Sequence, residues 1–187
     1  MRIIAGRFRG RRLSALGKGD AGTHLRPTAD RVRESLFSRL TAGPWGDAVD
    51  GAVVLDLFAG TGALGLEALS RGAYHVTFVE NGRTALRLLA QNIALLGCGA
   101  ETRIRRSDAL RPGPAEGPPA MLVFLDPPYG KGLGAPALDA ARNGGWIAPG
   151  ALVVWEEKAA QSAPPGFTLE DHRRYGESWV SFLVAEG

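Results

Sequence analysis

From residue 53 onward the chain alternates between two hydrophobic rhythms. Short apolar runs at 53–58, 75–79, 102–105, 121–125 and 151–155 predict buried strands, and stretches of helical period near 63–71, 83–96 and 135–143 fall between them. Strand and helix signals that take turns in this way predict an α/β fold on a mostly parallel sheet. One crossover departs from the rule. Pro112, Pro114, Pro118 and Pro119 crowd the interval between Ala109 and Ala120, so a loop or a single turn is expected there in place of a helix. The last apolar segments, 167–172 and 179–184, flank Arg173-Arg174-Tyr175-Gly176-Glu177-Ser178 and predict an antiparallel pair.

The amino-terminal part follows other patterns. Val32, Leu36, Phe37 and Leu40 recur on one side of a predicted helix, with Thr28 as N-cap, Asp30 in its first turn and Gly43-Pro44 as its end. Residues 3–13 alternate instead, which predicts a twisted hairpin or arm. Its expected faces are Arg7, Arg9 and Arg11 on one side and Gly6, Phe8 and Gly10 on the other. Residues 16–24, rich in glycine and in small and polar side chains, are expected to form a loop.

Composition narrows the class. A chain of 187 residues, 45% hydrophobic and 22% charged, has the makings of one substantial core. It carries no apolar stretch of membrane-spanning length and no signal-peptide pattern at its amino end, so a cytoplasmic location is expected. The lone Cys98 permits no internal disulfide and reads as a small apolar residue, while His24, His75 and His172 lie too far apart in sequence to suggest a metal site. Charge is unevenly spread. Residues 1–40 hold ten Arg or Lys against three Asp or Glu, and the remaining residues carry a net negative charge. Nine of those ten cations are arginines, which fork onto phosphates and stack on bases. A nucleic acid is the natural partner, with Arg7, Arg9, Arg11, Arg12, Arg26, Arg31 and Arg33 as candidate contacts; the alternative for any one of them is a solvated surface position.

Two motifs carry chemistry. The run at 53–58 leads into Ala59-Gly60-Thr61-Gly62-Ala63-Leu64-Gly65 and then a helix, and Glu80 ends the next strand twenty residues after Gly60. Glycines that let a ligand approach the backbone, followed by a helix start and then an acid at the distance that meets ribose hydroxyls, describe a nucleotide-type cofactor loop. Asp56 inside the first strand would repel a pyrophosphate but suits the ammonium of S-adenosylmethionine, and Asp108 after the third strand suits an adenine edge. Each acid has a structural alternative: Asp56 as a brace for the loop, Asp108 as a cap for a turn.

The second motif is Asp126-Pro127-Pro128-Tyr129, at the end of the apolar run 121–125. The two rings stiffen an extended turn and aim the Pro127 carbonyl beside the Asp126 carboxylate. Two acceptors next to a phenol ring suit a planar group bearing an NH2, such as a nucleobase amine, with Tyr129 stacked upon it. The plainer alternative is a proline-rich turn capped by Asp126.

Residues 56–73, Leu25-Arg26-Pro27-Thr28-Ala29-Asp30-Arg31-Val32-Arg33-Glu34-Ser35-Leu36-Phe37 and Asp126-Pro127-Pro128-Tyr129 together strongly resemble the RsmD-type methyltransferases. The resemblance extends over nearly the whole chain. It implies a Rossmann-like class I fold with a seven-stranded, mostly parallel sheet and an antiparallel last strand, and methylation of the N2 amine of one guanine in 16S ribosomal RNA. S-adenosylmethionine is the implied donor, with no metal. The implied cofactor contacts are Asp56, Phe58, Gly60, Thr61, Gly62, Glu80, Asn81, Asp108 and Ala109, and the implied catalytic clamp is Asp126, Pro127, Pro128 and Tyr129. Residues 1–27 would be a basic arm contacting RNA and residues 28–187 the transfer domain. Three other readings stay open from the residues alone: a DNA adenine-N6 methyltransferase, a nicotinamide-dependent oxidoreductase, and a non-catalytic RNA-binding assembly factor.

Overall fold

Parallel strands buried on both faces need near-continuous apolar runs, and this chain supplies them in Val53-Val54-Leu55 and Leu122-Val123-Phe124-Leu125. The computed structural model describes residues 1–15 and 30–187; Thr28, Arg26, His24 and the expected loop at 16–24 lie outside the described residues. Seven strands form one sheet: β1 (Val53–Leu57), β2 (His75–Glu80), β3 (Thr102–Arg106), β4 (Ala120–Leu125), β5 (Ile147–Glu157), β6 (Phe167–Tyr175) and β7 (Ser178–Ala185). Their spatial order is β3-β2-β1-β4-β5-β7-β6. β7 runs antiparallel to both of its neighbours, and the ladders among β1 to β5 are parallel. The order reverses at β1 and β4, the switch point at which such sheets open a crevice beyond their carboxyl ends.

Helices α1 (Asp30–Ala42), α2 (Ala63–Ser70) and α3 (Arg83–Leu96) bury their apolar stripes on one face of the sheet, and α4 (Gly134–Asn143) covers part of the other. The proline-rich crossover is indeed without a helix. Two arginines of the edge strand hold it. Arg105 Nε donates to the Pro112 carbonyl at 3.0 Å and its Nη1 to Glu116 Oε1 at 2.8 Å, while Arg103 Nη1 donates to the Glu116 carbonyl at 3.0 Å. β5 is longer than its apolar run because the chain leaving α4 pairs at once, Ile147 opposite Ala120, before a register shift brings Leu152 opposite Leu122. Cys98 is buried, as its composition suggested.

The amino-terminal arm is a hairpin, but not the striped ribbon that alternation predicts. Ile3 N–H donates to the Arg11 carbonyl and Gly10 N–H to the Ile3 carbonyl, each at 2.9 Å, and the chain from Ala5 to Gly10 is bend and turn. Gly6 and Gly10 take left-handed φ values of 77° and 82°, so Arg7 and Arg9 sit on a tip and share no extended face with Arg11. Ile3 and Leu13 join the core on the α1–α3 face. The tip docks on α2 through backbone donors: Ile4 and Ala5 N–H groups reach Glu67 Oε2 and Oε1 at 2.8 and 3.1 Å, and Phe8 N–H reaches Ser70 Oγ at 3.0 Å. A Cβ on Gly6 would collide with the Ser70 carbonyl, so only glycine lets the tip come this close.

Arg33 is a correction to the expected nucleic-acid contacts. Its side chain is fully buried, donating to the Arg2 carbonyl at 2.5 Å and Asp30 Oδ1 at 2.7 Å, with Glu67 Oε2 3.9 Å away. A guanidinium enclosed in this way ties α1 to the hairpin and offers nothing to a phosphate.

Candidate active site at the carboxyl ends of β1, β2, β4 and β5

β1 ends in a conformational break. Phe58 has φ 59°, the one positive value at a non-glycine position among the described residues, and strain of this kind persists where the surroundings enforce it. Gly60 and Gly62 follow with φ 58° and 79°, and a Cβ on Gly62 would strike Leu89. Glu80 laces this loop to the turn after β2. Its Oε2 accepts the Gly60 N–H at 2.8 Å, and Oε1 accepts those of Asn81 and Gly82 at 2.9 and 2.7 Å. Asp56 is buried beneath the loop, its Oδ2 accepting the Gly65 N–H at 3.0 Å at the start of α2. Burial pushes the Asp56 carboxyl up to about 8; the Gly65 hydrogen bond opposes that shift and the charge of Glu80 adds to it. Both acids therefore brace the loop, and Asp108 caps the turn after β3 through Leu110 N–H at 3.0 Å.

The loop has a second support that the sequence reading passed over. Asn92, fully buried on α3, donates to the Thr61 carbonyl at 2.9 Å and exchanges two hydrogen bonds with the backbone of Ser14, at 2.7 and 3.1 Å. The signal was present as one amide within an apolar stripe that includes Leu88, Leu89, Ile93 and Leu96.

Across the switch point, Asp126-Pro127-Pro128-Tyr129 leaves the end of β4 beside the loop, with the Asp126 N–H 3.5 Å from the Leu57 carbonyl. Two consecutive glutamates at the end of β5 grip this turn. Tyr129 Oη donates to Glu156 Oε1 at 2.7 Å and lies 3.1 Å from Ser178 Oγ, while Gly130 N–H donates to Glu157 Oε1 at 2.9 Å. Burial and then the charges of Glu156, Asp56 and Glu157 push the Asp126 carboxyl well above the usual carboxylate range. Burial also raises the Tyr129 phenol, so it stays protonated and able to donate. Glu156 and Glu157 went unread, although two acids ending a buried strand are a visible anomaly; Ser178 carried no signal.

These residues set acceptors on both sides of the switch point with no cation in the loop, since residues 58–66 contain no charged side chain. The arrangement fits a cofactor bearing a sulfonium, an ammonium and ribose hydroxyls, and fits a pyrophosphate poorly. The cavity of about 470 Å³ lined by Tyr74, His75, Arg103, Glu116 and Trp146 lies toward the other ends of the strands and includes none of these residues.

A family model described as Conserved hypothetical protein 95 matches residues 1–184. Ribosomal RNA small subunit methyltransferase D of Escherichia coli (strain K12) is 39% identical over 164 residues, which covers 88% of this chain and 78% of that protein. The chain belongs to the RsmD family. The Haemophilus influenzae protein of the same name is 38% identical over 182 residues, 94% of this chain and 89% of its own. A solved structure described as putative methyltransferase yhhF from Escherichia coli superposes with a TM-score of 0.81 at 36% identity, covering 100% of this chain and 98% of that one. This RsmD-family chain is therefore a methyltransferase with a class I fold, and the nicotinamide reading is set aside. Family membership also accounts for the acid-lined loop, which suits S-adenosylmethionine.

Arg9, Arg11, Arg12 and Arg31 are exposed, and Arg7 on the hairpin tip pairs with Glu101 at 2.6 Å. The three candidate regions thus meet in two places. Glycine loop and Asp126 turn share the carboxyl rim of the sheet, and the hairpin packs behind them on α2 and α3.

Proposed function

We propose that this protein transfers a methyl group from S-adenosylmethionine to the exocyclic N2 amine of a guanine in 16S ribosomal RNA, in the cytoplasm. The observation that carries this reading is the stiff Asp126-Pro127-Pro128-Tyr129 turn set against the glycine loop, its tyrosine pinned by Glu156 and Ser178. Asp126 and the Pro127 carbonyl accept the two amine hydrogens, which draws the nitrogen lone pair out of conjugation with the ring. Tyr129 offers a flat surface on which a base turned out of its stack can rest. S-adenosylmethionine, when bound, supplies an electrophilic methyl group, and the residues that would hold it are Asp56, Phe58, Gly60, Thr61, Gly62, Glu80, Asn81, Asp108 and Ala109. Positioning supplies much of the rate. Asp126 would take the proton that the amine nitrogen releases on accepting the methyl group.

In the same reading residues 1–27 act as the RNA-contacting arm and residues 28–187 as the transfer unit, with Arg7, Arg9, Arg11, Arg12, Arg26 and Arg31 meeting phosphates. Ribosomal RNA enters through the names of the two curated relatives. Among the described residues no helix is long and apolar enough to cross a membrane. The test is transfer of a labelled methyl group to 16S RNA, small ribosomal subunits and DNA in parallel, with mass analysis of the nucleoside product. N2-methylguanosine confined to ribosomal substrate is expected; N6-methyladenine would overturn the reading.

A further inference from the structure

The β4–β5 ladder ends with Leu125 opposite Trp155, and the residues that follow these two in the chain are Asp126 and Glu156. Facing positions of a parallel ladder lie on the same side of the sheet, so this register brings the two carboxylates to the same rim. Their proximity is also felt electrostatically, since the charge of Glu156 acts on Asp126 more strongly than that of Asp56 or Glu157. Glu156 is buried, and one of its oxygens is held by the Tyr129 hydroxyl at 2.7 Å, so the carboxylate has a fixed position relative to the ring.

An amine clamp alone does not choose among bases, because adenine, cytosine and guanine all carry an exocyclic NH2. They differ in the atom next to it. Beside its N2 amine guanine presents N1–H, a donor; beside their amines adenine and cytosine present a ring nitrogen lone pair, an acceptor. A second buried carboxylate adjacent to the amine acceptor attracts the first pattern and repels the second. We propose that Glu156 is the specificity-determining residue of this site, its carboxylate favouring a base whose edge next to the amine is a donor. The inference rests on the methyl-transfer reading above and names what that site selects.

The probe is a synthetic RNA in which the target guanine is replaced by 2-aminopurine, which keeps the N2 amine but has a lone pair at N1. The wild-type protein is expected to prefer guanine by about 100-fold or more in kcat/KM, the direction seen when a site built for a donor meets an analogue lacking it. Glu156→Gln, whose amide can donate to N1, is expected to shrink that ratio at least about tenfold while still binding S-adenosylhomocysteine. Ser178→Ala loosens Tyr129 but leaves the carboxylate, and should slow both substrates with the ratio unchanged. The proposal is overturned if the wild type methylates both RNAs equally, which needs no variant to fold, or if Glu156→Gln slows both in equal proportion. Failure of the wild type to modify guanine RNA at all would instead overturn the underlying function.

Discussion

The amino-terminal hairpin and the Asp126 turn are held by the same device, a buried glutamate that accepts backbone N–H groups, yet the charge around each is balanced differently. At the hairpin, Glu67 accepts from Ile4 and Ala5 and is met by Arg71 at 2.7 Å and by the buried Arg33. At the turn, Glu157 accepts from Gly130 while Glu156, Asp56 and Asp126 crowd one another and raise the last. A carboxylate matched by guanidiniums serves docking. At the turn, burial and neighbouring acids act together on Asp126, and groups shifted in that way are commonly functional.

The most drastic way to break the comparison is Asp126→Ala, expected to slow transfer by about a thousandfold or more while S-adenosylhomocysteine still binds. Near-normal turnover in labelled-methyl assays would remove Asp126 from the clamp. Glu67→Ala should instead act on stability, because it removes the acceptor of the Ile4 and Ala5 N–H groups and the partner of Arg71 and leaves the buried Arg33 with Asp30 as its one carboxylate; a loss of about 3–5 kcal/mol in denaturant unfolding is expected, with early proteolysis of the hairpin. A change below about 1 kcal/mol would mean the paired glutamate is not what docks the arm.

Titration sharpens the contrast further. Turnover should rise along an acid limb whose midpoint lies well above the ordinary carboxylate range, as Asp126 loses its proton, and Asp126→Asn should remove the limb. A limb unchanged in that variant would assign it elsewhere. For Asp56, the folded carboxyl titrates at about 8 against an ordinary 3.8. The folded state therefore holds the extra proton, and this group's contribution to stability is full below about pH 4 and lost as pH rises through about 8. Asp56→Asn keeps an acceptor for Gly65 N–H and should melt higher than wild type at pH 9 but not at pH 4; equal melting at both would refute the shift. The smallest effect is expected at the surface. Arg11→Ala should weaken RNA binding regardless of sequence and lower the slope of log affinity against log salt by about 1, measured by fluorescence anisotropy.

Much of this was legible beforehand because it depends on local pattern. The helical period gives α3 its observed ends, 83–96, and the strands differ from expectation by a residue or two except for β6, which runs three residues further to Tyr175, and β5, whose early pairing with Ala120 depends on where α4 delivers the chain. The proline-rich crossover was legible for the same reason, since proline removes donors wherever it stands. Alternation misled at the hairpin. A period of two predicts a strand, but Gly6 and Gly10 in left-handed conformations turn the chain there, and the contact that demands Gly6 comes from Ser70, far away in sequence. Arg33 misled likewise: an arginine in a basic segment reads as surface until Arg2, Asp30 and Glu67 enclose it.

By itself the sequence determined the layered α/β plan, the glycine loop with its acid, and the stiff Asp126-Pro127-Pro128-Tyr129 turn, because each rests on backbone restrictions that proline and glycine impose or on hydrophobic period. Tertiary structure alone decided which charges are neighbours. It put Asp126 within electrostatic reach of Glu156 and Glu67 near Arg33, and Coulomb interactions and desolvation depend on distance in space, which residue numbers do not record.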